Sequence, residues 1–178
     1  YDEAAWSAFI RLRAAWPDWG DLAEASAEEI EPIIDPVAFP DQKARQIPIL
    51  LRVIRLRRWD LDLDFLGALP EAEAMGWLRS LPGVNVATAA ATLNHSRLGR
   101  RVLSVDPHLH RVARRLGLVR ADSDAGQAYA ELMGEIPTGW SGDELFELHN
   151  LMRPLGQSIC SHLEPSCGLC VLRTACPR

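Results

Sequence analysis

Residues 81–112 read LPGVNVATAAATLNHSRLGRRVLSVDPHLHRV, and how this stretch folds governs the reading of the whole chain. Apolar residues recur at helical spacing from Glu71 to Leu81 and again from Asn85 to Leu98, and Pro82-Gly83 separates the two runs. A glycine at a helix end lets the backbone turn with positive φ and brings unbonded N–H groups to the surface. At the start of the next helix such groups suit a phosphate oxygen and carry no sequence preference. Pro82, Gly83, Val84 and Asn85 are therefore candidate phosphate contacts, although an ordinary αα-hairpin turn would use the same residues. Further on, Asp106 directly precedes Pro107, a good N-cap arrangement for a helix running to about Leu118.

Outward from this block, helical periodicity dominates, and no segment offers period-2 alternation with hairpin chemistry. Helices are expected from about Asp2 to Trp16, from Ser26 to Ile34, from Gln42 to Arg58 with a kink at Pro48, from Asp124 to Ile136, and from Ser141 to Leu155. Ser26 with Glu29 and Ser141 with Glu144 form two capping-box signatures. The fold class is all-α. The 178 residues suffice for one sizeable core or two small ones. No apolar run approaches the roughly eighteen residues that would span a bilayer, and the first residues lack a signal peptide's basic flank. The expectation is a cytoplasmic, monomeric protein. The six tryptophans are expected in the core or at a domain interface.

The net charge of −5 argues mildly against a nucleic-acid partner. Its distribution argues the other way. An acidic N-terminal region gives way to Lys43, Arg45, Arg52, Arg55, Arg57 and Arg58 with no carboxylate among them. Between Asn94 and Arg120 seven arginines face Asp106 alone. Such stretches supply a local anion-binding face or merely a solvated helix surface.

All four cysteines fall in the tail, as Cys160, Cys167, Cys170 and Cys176, in the spacing C-x6-C-x2-C-x5-C. Four thiolates so close in sequence can share one metal centre at little loop-closure cost. A pair of disulfides would need an oxidising compartment. A four-cysteine zinc site usually comes from two C-x2-C knuckles, whereas only Cys167 and Cys170 are so paired. By spacing alone, zinc and an iron–sulfur cluster stay comparable.

Hairpin, aspartate and cysteine loop together, in this order and with these separations, resemble the endonuclease III family of helix-hairpin-helix DNA glycosylases, over nearly the whole chain. The resemblance implies a [4Fe-4S] cluster on the four cysteines and two helical domains, a hairpin-bearing one over residues 1–104 and a cluster domain over 105–178, with double-stranded DNA in a cleft between them. It also implies work at the bacterial nucleoid, with no nucleotide cofactor and no membrane. Asp106 matches the catalytic aspartate, which orients or deprotonates water and stabilises oxocarbenium character at C1′ of a flipped nucleotide. Phe39, just before the helix that Lys43 opens, matches the apolar wedge that fills the gap; packing beneath that helix is its alternative role. Lys43 is a candidate DNA contact, and Arg173, in a loop that lies against DNA phosphate in the family, is a candidate phosphate contact or simply a solvated arginine. Family members also carry a helix pair ahead of the point where this sequence starts, which is expected either to precede Tyr1 or to be dispensed with.

Three departures refine the expectation. Asn85 replaces the second hairpin glycine, and asparagine tolerates the left-handed region well enough for the turn to survive. Pro107 replaces the threonine after the aspartate. Ala87 stands where bifunctional members carry the lysine nucleophile, and alanine has no amine for a Schiff base. The reading is a monofunctional N-glycosylase that removes a damaged or mismatched base, with a pyrimidine favoured. The rival is a DNA-binding protein of the same fold with weak or no catalysis; a redox carrier lacks any flavin or nicotinamide fingerprint. His108, His110 and His149 have no metal-ligand spacing and are assigned no chemistry.

Overall fold

The computed structural model describes residues 3–177. Nine α-helices and short 3-10 and π turns make up its regular structure, with no strand among the described residues. None of these helices is long and apolar enough to cross a membrane. The first helix, α1, spans Glu3–Ala15; the expected start at Asp2 lies outside the described residues. α2 (Trp19–Glu24), which no sequence pattern announced, is capped by the Asp18 carboxylate accepting from Gly20 N at 2.7 Å. The Ser26–Glu29 capping box is present and opens α3 (Ala27–Ile30), followed by a 3-10 turn over Glu31–Ile33. α4 spans Pro40–Arg58 and runs through buried Pro48, whose ring nitrogen cannot donate to the Ala44 carbonyl.

After a 3-10 turn at Asp64–Gly67 come α5 (Glu71–Arg79), α6 (Val86–His95), α7 (Pro107–Leu116), α8 (Ala125–Glu135) and α9 (Gly142–Pro154). The Ser141–Glu144 box opens α9, and α8 carries a further one from Asp124 and Gln127. α9 passes into a π-helical turn over Leu155–Ile159 that delivers Cys160.

The chain forms two compact units. One runs through Leu63 and takes in Ser80–Gly83; the other contains Asp64–Arg79 and the residues from Val84 on. The division therefore differs from the expected boundary at 104/105, because the hairpin helix α6 groups with α7 to α9. The first unit packs Ala8, Leu22, Ile30, Ile34 and Ala44 together, with Leu12, Trp16 and Leu51 against them. The second is built on Leu103, Val105, Leu109, Val112, Leu132, Leu145 and Met152. Burial of each leucine, isoleucine, valine or methionine among these contributes roughly 1.5–3 kcal/mol. Not all tryptophans follow the sequence expectation. Trp59 is 92% exposed at the left-handed C-cap of α4 and Trp6 is 54% exposed.

Two glycines set how closely elements approach in the second unit. A Cβ on Gly142 would lie 2.0 Å from the Gly99 carbonyl oxygen, and one on Gly156 would lie 2.8 Å from that of His108. Asn94 completes the first contact by donating from Nδ2 to the carbonyls of Gly142 and Arg100, at 2.7 and 2.8 Å. The second contact presses the π turn onto the beginning of α7, next to Asp106.

Candidate active site and cysteine loop

Asp106 is the N-cap of α7, with extended backbone (φ −77°, ψ 170°), and Pro107 supplies the first helical residue without an N–H to satisfy. Its Oδ1 accepts from Leu109 N at 2.8 Å, and its Oδ2 lies 3.0 Å from Arg153 Nε of α9. The carboxylate is 17% exposed and the guanidinium 27%. Capping and a charged partner thus each take one oxygen; the cap sets the direction of the carboxylate, the guanidinium supplies a counter-charge, and an edge stays open to solvent.

Behind this pair lie two imidazoles. His149 is buried, and its Nδ1 stands 2.8 Å from the Ser104 carbonyl oxygen, which can only accept, so Nδ1 carries the proton. The His95 ring lies 4.7 Å, centroid to centroid, from that of His149 and 5.0 Å from Phe146. Partial burial, then the charges of His149 and Arg153, push His95 down to about 4 against an opposing pull from Asp106. His95 is therefore neutral at pH 7. Ser104 also ties back to α6, its hydroxyl donating to the Ala87 carbonyl at 3.3 Å.

In the hairpin, Gly83 adopts φ 77°, and a Cβ there would meet the Gln46 side chain at 3.1 Å. Asn85 does not adopt the left-handed conformation expected of a glycine substitute. Its φ is −90° and ψ 178°, and its Oδ1 accepts from Thr88 N at 2.9 Å, which makes it the N-cap of α6. The turn needs one left-handed residue and Gly83 provides it; Asn85 is used for its side-chain oxygen. Pro82 and Val84 are half-buried, and Gly83 and Asn85 are exposed.

In the first unit, Phe39 precedes α4 with φ 57° and is 72% exposed. A large apolar side chain held out in the left-handed region is not packed as a staple, and strain of this kind concentrates at functional positions. Lys43 is exposed in the first turns of α4, its N–H donating to the Phe39 carbonyl at 3.1 Å.

The four cysteines are free thiols that line one cavity together with Arg115, Ile159, Pro165 and exposed Arg173. Among the described residues no three His, Cys, Asp or Glu side chains converge closely enough for a single ion; the four cysteines line one cavity in common. α7 fastens the start of this loop. Arg111 donates to the carbonyls of Cys160 (2.9 Å) and Gly156 (2.6 Å), and Arg115 to those of Ser161 (2.6 Å) and His162 (2.9 Å). Arg115 Nη1 also lies 3.1 Å from Cys160 Sγ. Sequence reasoning missed this clamp, although the spacing of the two arginines on one helix face was there to be seen. It also missed Arg153 and His95; nothing local marks a residue 47 positions from Asp106 as its partner.

Comparison with known proteins agrees with this architecture. The model of the HhH-GPD superfamily base excision DNA repair protein matches residues 1–138. The endonuclease III of Synechocystis sp. is 33% identical over 163 residues, covering 91% of this chain and 68% of that protein. An endonuclease III homolog of Encephalitozoon cuniculi is 28% identical over 99% of this chain and 72% of its own length. Among solved structures, the endonuclease III of a trapped covalent DNA intermediate superposes with a TM-score of 0.79 at 26% identity, covering 99% of this chain and 76% of that one. The chain belongs to the HhH-GPD superfamily of base excision DNA repair proteins.

Proposed function

We propose that the protein is a monofunctional DNA N-glycosylase that releases a damaged or mismatched base, a pyrimidine in preference, from double-stranded DNA. One observation carries the reading. Asp106 presents a carboxylate whose direction its cap on α7 fixes, in a helical repair-family chain that has Ala87 where a lysine would form a Schiff base. With a nucleotide turned out of the stack, the C1′–N bond breaks and its electron pair leaves with the base. Asp106 offsets the positive charge that grows on the sugar. Water then bonds to C1′, and its proton passes through the carboxylate towards the departing base, leaving an abasic site. The hairpin at Gly83 to Asn85, with Lys43 and Arg173, holds backbone phosphates. Phe39 takes the place of the extruded nucleotide.

The cysteine loop fits a [4Fe-4S] cluster, since four thiols from one short segment line a single void. Cys160, Cys167, Cys170 and Cys176 would hold it, and the bound cluster would cross-link a tail that has little regular structure. Arg111 and Arg115 brace the start of that loop from α7.

The Asp106–Arg153 pair gives weight to a second reading, a DNA-binding protein of the same fold with weak catalysis, because a guanidinium beside the carboxylate lowers the negative potential available to the sugar. A panel of duplexes with single lesions and mismatches, incubated with protein and then heated in alkali, separates the two. Strand breaks at one or more modified pyrimidines are expected. Tight binding without breaks on any member would establish the second reading instead.

A further inference from the structure

Along α7 lies a cavity of about 670 Å³ whose polar lining is entirely basic or imidazole: His110, Arg111, Arg114, Arg115 and His162, with no carboxylate. In a chain of net charge −5 this concentration of guanidinium groups is set against the general sign. Arg111 and Arg115 already donate to backbone carbonyls, but a carbonyl uses hydrogens without cancelling charge, so both leave their positive potential in the cavity. Arg114 is exposed between them. His110 also lines the cavity, and its buried Nε2 has no hydrogen-bond partner among the described residues. Glu131, whose carboxyl is held low by the Ser123 hydroxyl, the Arg120 N–H and guanidinium and, least, by His110, does not line the cavity.

We infer that this cavity is an oxyanion site for a phosphate group, with Arg114 as its adjustable ligand on a rim pre-set by Arg111 and Arg115. Guanidinium groups whose positions are fixed by other bonds lose little freedom on binding, and planar forks match phosphate oxygens better than an ammonium does. The cavity begins at Pro107, the residue after Asp106, and runs along α7; its lining includes neither Asp106 itself nor any residue of the hairpin turn. It takes either a backbone phosphate of DNA or a free phosphoryl compound, since the group recognised is the same.

Two arms measured on the full chain distinguish these sources. In the first, calorimetry follows inorganic pyrophosphate binding to the wild type, Arg114→Glu and Arg114→Ala. Charge reversal is expected to weaken binding at least tenfold, and Arg114→Ala less. In the second, affinity for an undamaged duplex is measured against salt; Arg114→Ala should flatten the slope of log K on log salt by about 0.9, the loss of one phosphate contact. A flattened slope assigns the site to DNA. Weakened pyrophosphate binding with an unchanged slope assigns it to free phosphoryl compounds. If neither pyrophosphate affinity nor salt slope differs between wild type and both variants, each melting as the wild type does, the inference is wrong. Because no base need be released in either arm, failure of the glycosylase reading would leave this result intact.

Discussion

Arg153 of α9 places Nε 3.0 Å from Oδ2 of Asp106, the residue that caps α7. The pair is only partly exposed, so water screens it less than it would a surface pair. The cap to Leu109 N already orients the other oxygen, so what the arginine adds at the site is chiefly a counter-charge. Asp106→Asn is expected to abolish base release while preserving the cap, since an amide oxygen accepts from Leu109 N equally well. Arg153→Met is expected to raise the single-turnover rate. A pair of this exposure is worth on the order of 1 kcal/mol, or about fivefold. Rapid-quench measurement on the lesion found by the duplex panel decides it. A tenfold fall for Arg153→Met would make the arginine an orienting residue instead.

Acid should weaken the second unit through His95. Its pKa is about 4 in the folded chain against an ordinary value of 6.5, so between these values the unfolded chain binds more protons than the folded one. Stability attributable to the neutral ring is complete above about pH 6.5 and is lost as pH falls towards 4. His95→Gln removes this titration. Its melting temperature relative to the wild type should therefore rise as pH is lowered through that window, and differential scanning calorimetry at several pH values reads the difference. A constant offset from pH 7 to pH 4 would show that His95 protonates freely in the fold.

Gly156 should tolerate no side chain. A Cβ there would stand 2.8 Å from the His108 carbonyl oxygen and 2.9 Å from its Cβ, so either the π turn or the first turn of α7 must shift. The expected cost of Gly156→Ala is about 1–3 kcal/mol, as for other overpacked contacts. The displacement also reaches Cys160 on one side and Asp106 on the other. Denaturant melts should record the loss of stability, and binding of iron to the cysteine loop should fall with it. An unchanged midpoint would mean that the contact yields without strain.

The parts of this fold legible in the sequence are those governed by neighbours along the chain. Ser26 with Glu29 and Ser141 with Glu144 announced their helices because a capping box is closed within four residues. Asp106 before Pro107 announced α7 in the same way. α2 was missed because six residues carry too little periodicity to register. The π turn before Cys160 was missed because packing against α7 at Gly156 imposes it. Asn85 was assigned the wrong reason for its place: a lost glycine suggested a left-handed backbone, whereas its oxygen caps α6. Arg153, His95 and the Arg111–Arg115 clamp depend on separations of up to 54 residues that only the folded chain brings together.

Ala87 makes the sharpest chemical test. Schiff-base chemistry at C1′ needs an uncharged amine, and the only lysine of the chain, Lys43, belongs to α4 in the first unit, while Ala87 belongs to α6 in the second. Borohydride added during reaction with a lesion duplex should therefore trap no covalent protein–DNA adduct with the wild type, although alkali reveals the abasic product. Ala87→Lys introduces an amine at a half-buried position whose carbonyl is tied to Ser104, two residues before Asp106. That variant should form a trappable adduct, with Asp106→Asn in the same background suppressing it. A wild-type adduct would mean that another amine reaches the sugar, and Lys43→Gln would show at once whether α4 supplies it.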